Sequence, residues 1–216
     1  MGDHTGAPRR RAWGMILAAV VALAALSGCA AAPGMSDTSV ASAASSRHYH
    51  SPRYGLAIAY PQGVPAARRF EADYFLGTRW NPDAAAAVPG DALLALTLPG
   101  SNTITRGVMR IGASRAPRAL AACSGPSSGP AGAPAEPRRV LIDGVAFTRV
   151  DTGDAAMNHH LQRHSYRAVT AGRCIAIDLI VTGVNPSVYA SPPARPFDRE
   201  TAFARLEALL SRLRLE

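Results

Sequence analysis

Three histidines within six residues, His159, His160 and His164, are half of the six in the sequence. His160 and His164 have the i, i+4 spacing that lets two imidazoles on a helix share one metal ion. The segment around them reads as a strand, however, and there four residues cover about 13 Å, too far for two ligands of one ion. On a strand His160 and His164 share a face and His159 points the other way. A metal would then need donors from other segments, with Asp151, Asp154, His48 and His50 as the available ones. The alternatives are a solvated polar strand face and a contact that responds to pH. Asp178 stands in the middle of an apolar run, on the face opposite its isoleucines. A carboxylate there is expected to pair with a cross-strand arginine, Arg163 or Arg167. The adjacent pairs Arg68-Arg69 and Arg138-Arg139 read as solvated charges. The chain has no Gly-x-Ser-x-Gly elbow, no His-Glu-x-x-His, no Walker loop and no Gly-x-Gly-x-x-Gly. Neither a catalytic residue nor a cofactor is expected from these patterns.

The elements that must position these residues are mostly strands. Tyr54, Leu56, Ile58 and Tyr60 alternate with smaller residues and stop at Pro61. Phe70 to Trp80 is a second strand candidate, followed by Leu93 to Leu98 and Val108 to Ala113, with a polar turn at Gly100-Ser101-Asn102 between the last two. Residues 125–137 are turn and breaker types throughout and read as an exposed loop. Asp143-Gly144, set between Val140-Leu141-Ile142 and a strand from Val145 to Val150, marks a tight hairpin, because Asp-Gly readily takes the positive φ that such a turn needs. A second hairpin joins His160–Val169 to Cys174–Thr182 through a turn at residues 170–173. Ile175, Ile177, Leu179 and Val181 fall on one face of its second strand and belong in the core. A C-terminal amphipathic helix follows, with Asp198 as N-cap and Phe203, Leu206, Leu209, Leu210 and Leu213 forming its apolar stripe. The expected fold is α+β: a mostly antiparallel sheet built of hairpins, with that helix packed on one face.

The N-terminus carries an address. Arg9, Arg10 and Arg11 precede an apolar run from about Ala12 to Leu26, which is shorter than the ~20 residues of a membrane span and has the flanks of a signal-peptide core. The run closes on Leu26-Ser27-Gly28-Cys29, which resembles the lipobox of bacterial lipoproteins. That resemblance implies a signal peptide over 1–28, acylation of Cys29 and a mature chain anchored in the membrane by lipid. Ala30 after the cysteine resembles signals that send lipoproteins to the periplasmic face of the outer membrane in cells with two membranes. Arg10-Arg11 before Trp13 also resembles a twin-arginine export signal. Residues 29–47 are small and polar, cannot bury enough surface to offset their ordering entropy, and read as a tether. The folded domain is then 48–216.

Removing residues 1–28 leaves 188 of 216 residues, enough for one domain, and lowers the formal charge from +8 to +6 with the loss of three arginines and Asp3. Every basic residue is arginine. A modest positive charge suits an anionic glycan or lipid as partner, whereas the route out of the cytoplasm argues against nucleic acid, as does the lack of a basic stripe with stacking aromatics. With Cys29 acylated, Cys123 and Cys174 remain. In an oxidising compartment they are expected to form a disulfide, and without a Cys-x-x-Cys spacing a redox or metal pair is the lesser alternative.

The order of elements in residues 50–216 resembles PsbP, the extrinsic protein of photosystem II, and its bacterial relatives. The opening Tyr54-Gly55-Leu56-Ala57-Ile58-Ala59-Tyr60-Pro61, the two hairpins and the closing helix carry this likeness. Gly144 to Phe147 and Gly172 to Cys174 are similar to segments of uncharacterised bacterial envelope proteins of the same form. These resemblances imply a fold and no reaction. The function expected is a non-catalytic accessory or binding module of the cell envelope, with an envelope protein, glycan or lipid as its partner; the alternative is a metal protein or metal-dependent enzyme using His160 and His164.

Overall fold

The computed structural model describes residues 45–85, 87–123 and 136–216. The expected signal peptide, Cys29 and the expected tether as far as residue 44 lie outside the described residues, as does the expected 125–137 loop up to residue 135. The strands are β1 (Ser46–Ser51), β2 (Leu56–Pro61), β3 (Ala66–Ala67), β4 (Asp91–Thr97), β5 (Arg106–Ser114), β6 (Arg138–Ile142), β7 (Val145–Ala156), β8 (His159–Thr170), β9 (Arg173–Val184) and β10 (Leu213–Leu215). The α-helices are α1 (Pro117–Ala122) and α2 (Arg199–Leu210). They build a seven-stranded sheet in the order β3-β4-β5-β9-β8-β7-β6 and a three-stranded sheet in the order β1-β2-β10. Neighbouring strands pair antiparallel throughout.

β9 is the centre of the large sheet because its sequence is apolar on both faces. Ile175, Ile177, Leu179 and Val181 are at most 2% exposed on one face, where they meet α2 and the small sheet. Cys174, Ala176, Asp178 and Ile180 occupy the other face and are equally buried. That second face is covered by the chain from residue 68 to 90 and by α1, through three small apolar clusters around Trp80, Phe70 and Leu76. The sheet is therefore buried on both sides at its middle.

Turn chemistry fixes the hairpin registers. Asp143 and Gly144 take φ of 48° and 77°, and Ala171 and Gly172 take 46° and 70°, the left-handed pair of a two-residue hairpin turn. A third hairpin, between β7 and β8, turns on Met157 and Asn158 at 49° and 66°. Its residues carry no glycine, so the pattern that marks the other two turns is missing from the sequence.

Four sequence expectations are corrected. Phe70–Trp80 is not a strand: Phe70, Leu76 and Trp80 each drop into a separate pocket of the sheet, and the Asp73 carboxylate accepts from the amides of Phe75 and Leu76 at 2.9 and 2.7 Å, which bends the chain. The strand expected from Tyr54 begins at Leu56, because Pro52–Tyr54 is a turn of 3-10 helix. β1 begins at Ser46, two residues before the expected domain start, since residues 46–51 pair with β2 along their whole length. Leu213 leaves the helical stripe. α2 stops at Leu210, and Leu213 enters β10, opposite Ile58. Asp198 does cap α2, its carboxylate accepting from the Thr201 amide at 2.7 Å, and Ala202, Phe203, Leu206, Leu209 and Leu210 are the residues that α2 buries.

The approach of the 68–90 segment to the sheet depends on Gly112 in β5. A Cβ there would lie 2.1 Å from the Trp80 carbonyl oxygen, a backbone atom that cannot swing away. Gly112→Ala is expected to lower the unfolding free energy by about 2 kcal/mol or more. Gly144→Ala meets no atom within 4 Å and bears only the cost of its positive φ, about 1 kcal/mol. Urea unfolding of the two variants measures the difference.

Candidate functional site

Chemistry-bearing side chains gather in three places. The first is buried on the sheet face under the 68–90 segment. Asp178, 1% exposed, stands opposite Arg110 of β5 and Ser165 of β8. Its Oδ1 accepts from Arg167 Nη2 at 2.8 Å and from the Ser165 hydroxyl at 2.9 Å. Arg167 also donates to Asp83 at 2.8 Å, and Arg163 donates to the other oxygen of Asp83 at 2.6 Å and lies 4.0 Å from Asp178. Burial disfavours the charge on Asp83, but Arg167 and Arg163 outweigh it and hold the carboxyl below its ordinary range. Burial likewise works against the Arg167 cation, and Asp178 and Asp83 reverse the effect, so its pKa rises. Both arginines named as partners of Asp178 are thus present, and the contact at hydrogen-bond distance is Arg167. Arg110 donates instead to the carbonyls of Gly77 and Glu71 and sits over the Phe70 ring at 5.2 Å. Two carboxylates and two guanidiniums face one another here, and all of their lining comes from the fold itself.

The second cluster lies on the opposite face, between the large sheet and α2. His164 stacks on Phe203 with centroids 3.7 Å apart, and its Nδ1 lies 2.8 Å from Arg149 Nη2. Arg149 also donates to Asp151 and Glu207. Accepting from a guanidinium requires Nδ1 to be unprotonated, which places the ring hydrogen on Nε2. Burial pushes the His164 pKa down. Arg149 and Arg138 act in the same direction, and Asp151 and Glu207 oppose them. Next to it Tyr166 is 2% exposed, and burial pushes its hydroxyl up to about 12, so the ring stays neutral.

The third place is an open cleft of about 810 Å³ at the end of the sheet, beneath the start of α2. Its floor carries Thr105, His160 and Gln162, and Arg195, Arg199 and Glu200 stand around the helix start. Burial, followed by the charges of Arg195, His159 and Arg199, lowers the His160 pKa. A smaller cavity of about 200 Å³ shares His160 and adjoins Tyr74 and His159. The rings of these two stack at 4.3 Å.

The structure therefore separates the histidines. His164 packs under α2, His160 faces the end cleft and His159 stacks on Tyr74. Among the described residues no group of three or more His, Cys, Asp or Glu side chains converges as a metal site. Asp151, expected as a donor from another segment, is engaged with Arg138 and Arg149. Of the two adjacent arginine pairs, Arg138 and Arg68 have specific contacts, Arg138 with Asp151 at 2.5 Å and Arg68 over the Tyr49 ring at 5.0 Å. Sequence reasoning missed Asp83, Glu207, Arg195 and Arg199, which are remote in sequence from the groups they meet, and Arg149, which meets Asp151 two residues on and His164 across the β7-β8 pair. Cys123 and Cys174 lie with their sulfurs at bonding distance, 2.03 Å, in the cluster around Trp80. No helix among the described residues is long and apolar enough to cross a membrane.

The fold and these sites define a mostly antiparallel protein with few helices, stabilised by buried ion pairs and open at one end of its sheet. No protein-family model and no curated protein matches the chain. Solved structures similar to it include the cyanobacterial PsbP protein (CyanoP) of Synechocystis sp. PCC 6803, 12% identical, with a TM-score of 0.43, covering 84% of this chain and 99% of that one. Another is a protein from Bacteroides thetaiotaomicron VPI-5482, 14% identical, with a TM-score of 0.38, covering 78% of this chain and 48% of that one.

Two outcomes are expected from these sites. Asp178→Asn removes the carboxylate charge that faces the buried Arg167 guanidinium, and should cost about 3 kcal/mol of stability. Combined with Arg167→Met it should cost less than the two single losses added together, as a double-mutant cycle in urea would show. His164 gives a pH dependence. Its folded-state pKa is lowered, so folding favours the neutral ring. That contribution is complete above the unfolded value of about 6.5 and fades as the pH falls through it. His160 acts with the same sign. The melting temperature should drop between about pH 7.5 and pH 5.5, and His164→Gln, which keeps an acceptor for Arg149 without titrating, should make that drop shallower.

Proposed function

We propose that this chain is an envelope lipoprotein, anchored through acylated Cys29, whose folded domain serves as a non-catalytic accessory or binding module. The observation that carries this reading is the pair Cys123 and Cys174, at bonding distance and 3% and 0% exposed. Stable structural disulfides belong to oxidising compartments and are rare in reducing ones. A bridge closing 51 residues of sequence stabilises by about 4 kcal/mol on the chain-entropy estimate. It fits a chain whose first residues have the form of an export signal with a lipid attachment site.

The binding role is supported by where the polar groups stand. Asp178, Asp83, Arg163 and Arg167 are engaged with one another beneath the 68–90 segment, and Arg149, Asp151, His164 and Glu207 beneath α2. Both sets join elements of the fold. The end cleft, by contrast, is an open concavity whose Gln162, Arg195, Arg199 and Glu200 belong to neither set. The partners that suit it are components of the envelope: another protein, a glycan or a lipid.

Cys29→Ser tests the anchor. The wild-type chain should carry a lipid-modified cysteine by mass, and the variant should carry no lipid. A wild-type chain exported without lipid on Cys29 overturns the lipoprotein reading.

A further inference from the structure

The end of the large sheet at which β7 turns into β8 exposes most of the large apolar side chains that reach the surface. Six such side chains are exposed among the described residues: Tyr74, Leu141, Met157, Val169, Val188 and Tyr189. Four of them belong to this end. Met157 is 80% exposed on the β7–β8 turn. The Asn158 carbonyl of that turn accepts from the Asn185 amide at 2.8 Å, which ties in the 3-10 turn that carries Val188 and leads into Tyr189. Tyr74 stacks on His159, the first residue of β8. Leu141 and Val169 stand at the other end, beside the turns at Gly144 and Gly172.

Met157 is also an unusual residue for its backbone. Its φ of 49° lies in the left-handed region, where a hairpin turn ordinarily has glycine, asparagine or aspartate. A long apolar side chain held there, and in water, serves neither the turn nor the core, and strain of this kind marks a functional position. The chain around it is uncharged: residues 155–158 and 184–194 contain no Asp, Glu, Lys or Arg. An apolar patch of this size on one end of a domain is a contact surface for a protein or a membrane.

The place where the chain enters the domain selects the membrane. The Ser45 carbonyl accepts from the Gln62 amide, and the Pro65 carbonyl from the Thr97 amide, both at 2.9 Å. Thr97 of β4 pairs with Val108 of β5, Arg106 of β5 with Thr182 of β9, and Val184 of β9 with His159 of β8. The chain entry and the β7–β8 turn therefore share one end of the sheet, with β4 and β8 three strand spacings, about 14 Å, apart. Cys29 precedes Ser45 by 16 residues, a reach of at most about 55 Å fully extended. β8, at 12 residues, is itself about 40 Å long. A lipid on Cys29 holds this end close to the bilayer, and turning the opposite end toward it would consume most of that reach.

We infer that the end of the domain formed by the β7–β8 turn and residues 186–189 lies on a lipid surface, with Met157, Val188 and Tyr189 dipping into the interface between headgroups and acyl chains. This inference rests on the reading of the chain as a lipid-anchored module and adds the face with which the domain meets the bilayer. Tyrosine rings settle at the headgroup level, and the Met157 and Val188 side chains gain by leaving water. Because the chain around the turn is uncharged, this end approaches without stripping water from an ion.

The test uses the full-length chain, expressed in a bacterium that processes lipoproteins and reconstituted into phosphatidylcholine vesicles with or without acyl chains brominated near the headgroup. Met157→Trp places a fluorophore on the turn. Leu141→Trp places the same indole on a side chain 72% exposed at the opposite end, which separates orientation from the probe's own affinity for lipid. The emission that Met157→Trp adds to that of the parent should be shifted to the blue and lose most of its intensity in brominated vesicles. The emission added by Leu141→Trp should keep its intensity and the wavelength of an indole in water. An unquenched Met157→Trp signal on chains that float with the vesicles overturns the inference, keeps the anchored module and leaves the patch to a protein partner. Equal quenching at both ends also overturns it, because the domain then has no preferred face. Chains that neither float nor carry lipid on Cys29 by mass overturn the anchor, and the inference with it.

Discussion

Asp178 sits in the middle of the central strand at 1% exposure, and the architecture of one whole face follows from how that charge is balanced. An uncompensated carboxylate at such a place would cost several kcal/mol. Arg167 and the Ser165 hydroxyl on the neighbouring strand supply the first partners. Arg167 also engages Asp83, and Asp83 in turn engages Arg163. The 68–90 segment lies across the sheet and delivers Asp83 to both arginines. A stretch of chain without regular structure is thus held by electrostatics as much as by its three buried apolar side chains.

The same segment depends on close approach. Trp80 lies with its carbonyl over Gly112, and its indole nitrogen donates to Val88 at 3.1 Å. The disulfide sits beside it, in the same cluster as Trp80, Ala119 and Ala176. Packing, ion pairing and the cysteine pair therefore act on one side of the sheet. On the other side α2 and the small sheet supply an apolar layer, with the Arg149, Asp151, His164 and Glu207 cluster at its margin. Both faces at the middle of the sheet are closed by these contacts, and the open ground lies at its end, where β8 and β9 run beyond the cover.

The histidines illustrate what spacing can and cannot decide. The period of two on a strand excludes His160 and His164 from sharing one ion, and that exclusion needs only the backbone rise. Spacing does not say what each ring meets. His164 meets Phe203 and Glu207, some forty residues away on α2, and His160 meets a cleft completed by Arg195 and Arg199. Asp178 was more legible. Its position opposite the isoleucines, with Arg163 and Arg167 on the adjacent strand, follows from alternation and the Gly172 turn, which together set the register. Asp83 was not legible, because nothing in its local sequence distinguishes it from a solvated loop aspartate.

The sequence by itself determined the β6-β7 and β8-β9 hairpins, the core face of β9, the Asp198 cap and the general α+β class, because each rests on a local rule: alternation, a turn residue with positive φ, or a side chain reaching its own backbone. It also carried the signal-like N-terminus as an expectation. Tertiary structure alone decided the β1-β2-β10 sheet, the irregular course of Phe70 to Trp80, the partner of each buried charge and the existence of the end cleft. Those features join residues tens of positions apart, and such contacts are settled by which buried surfaces and charges can be satisfied together, a condition that no short window of sequence contains.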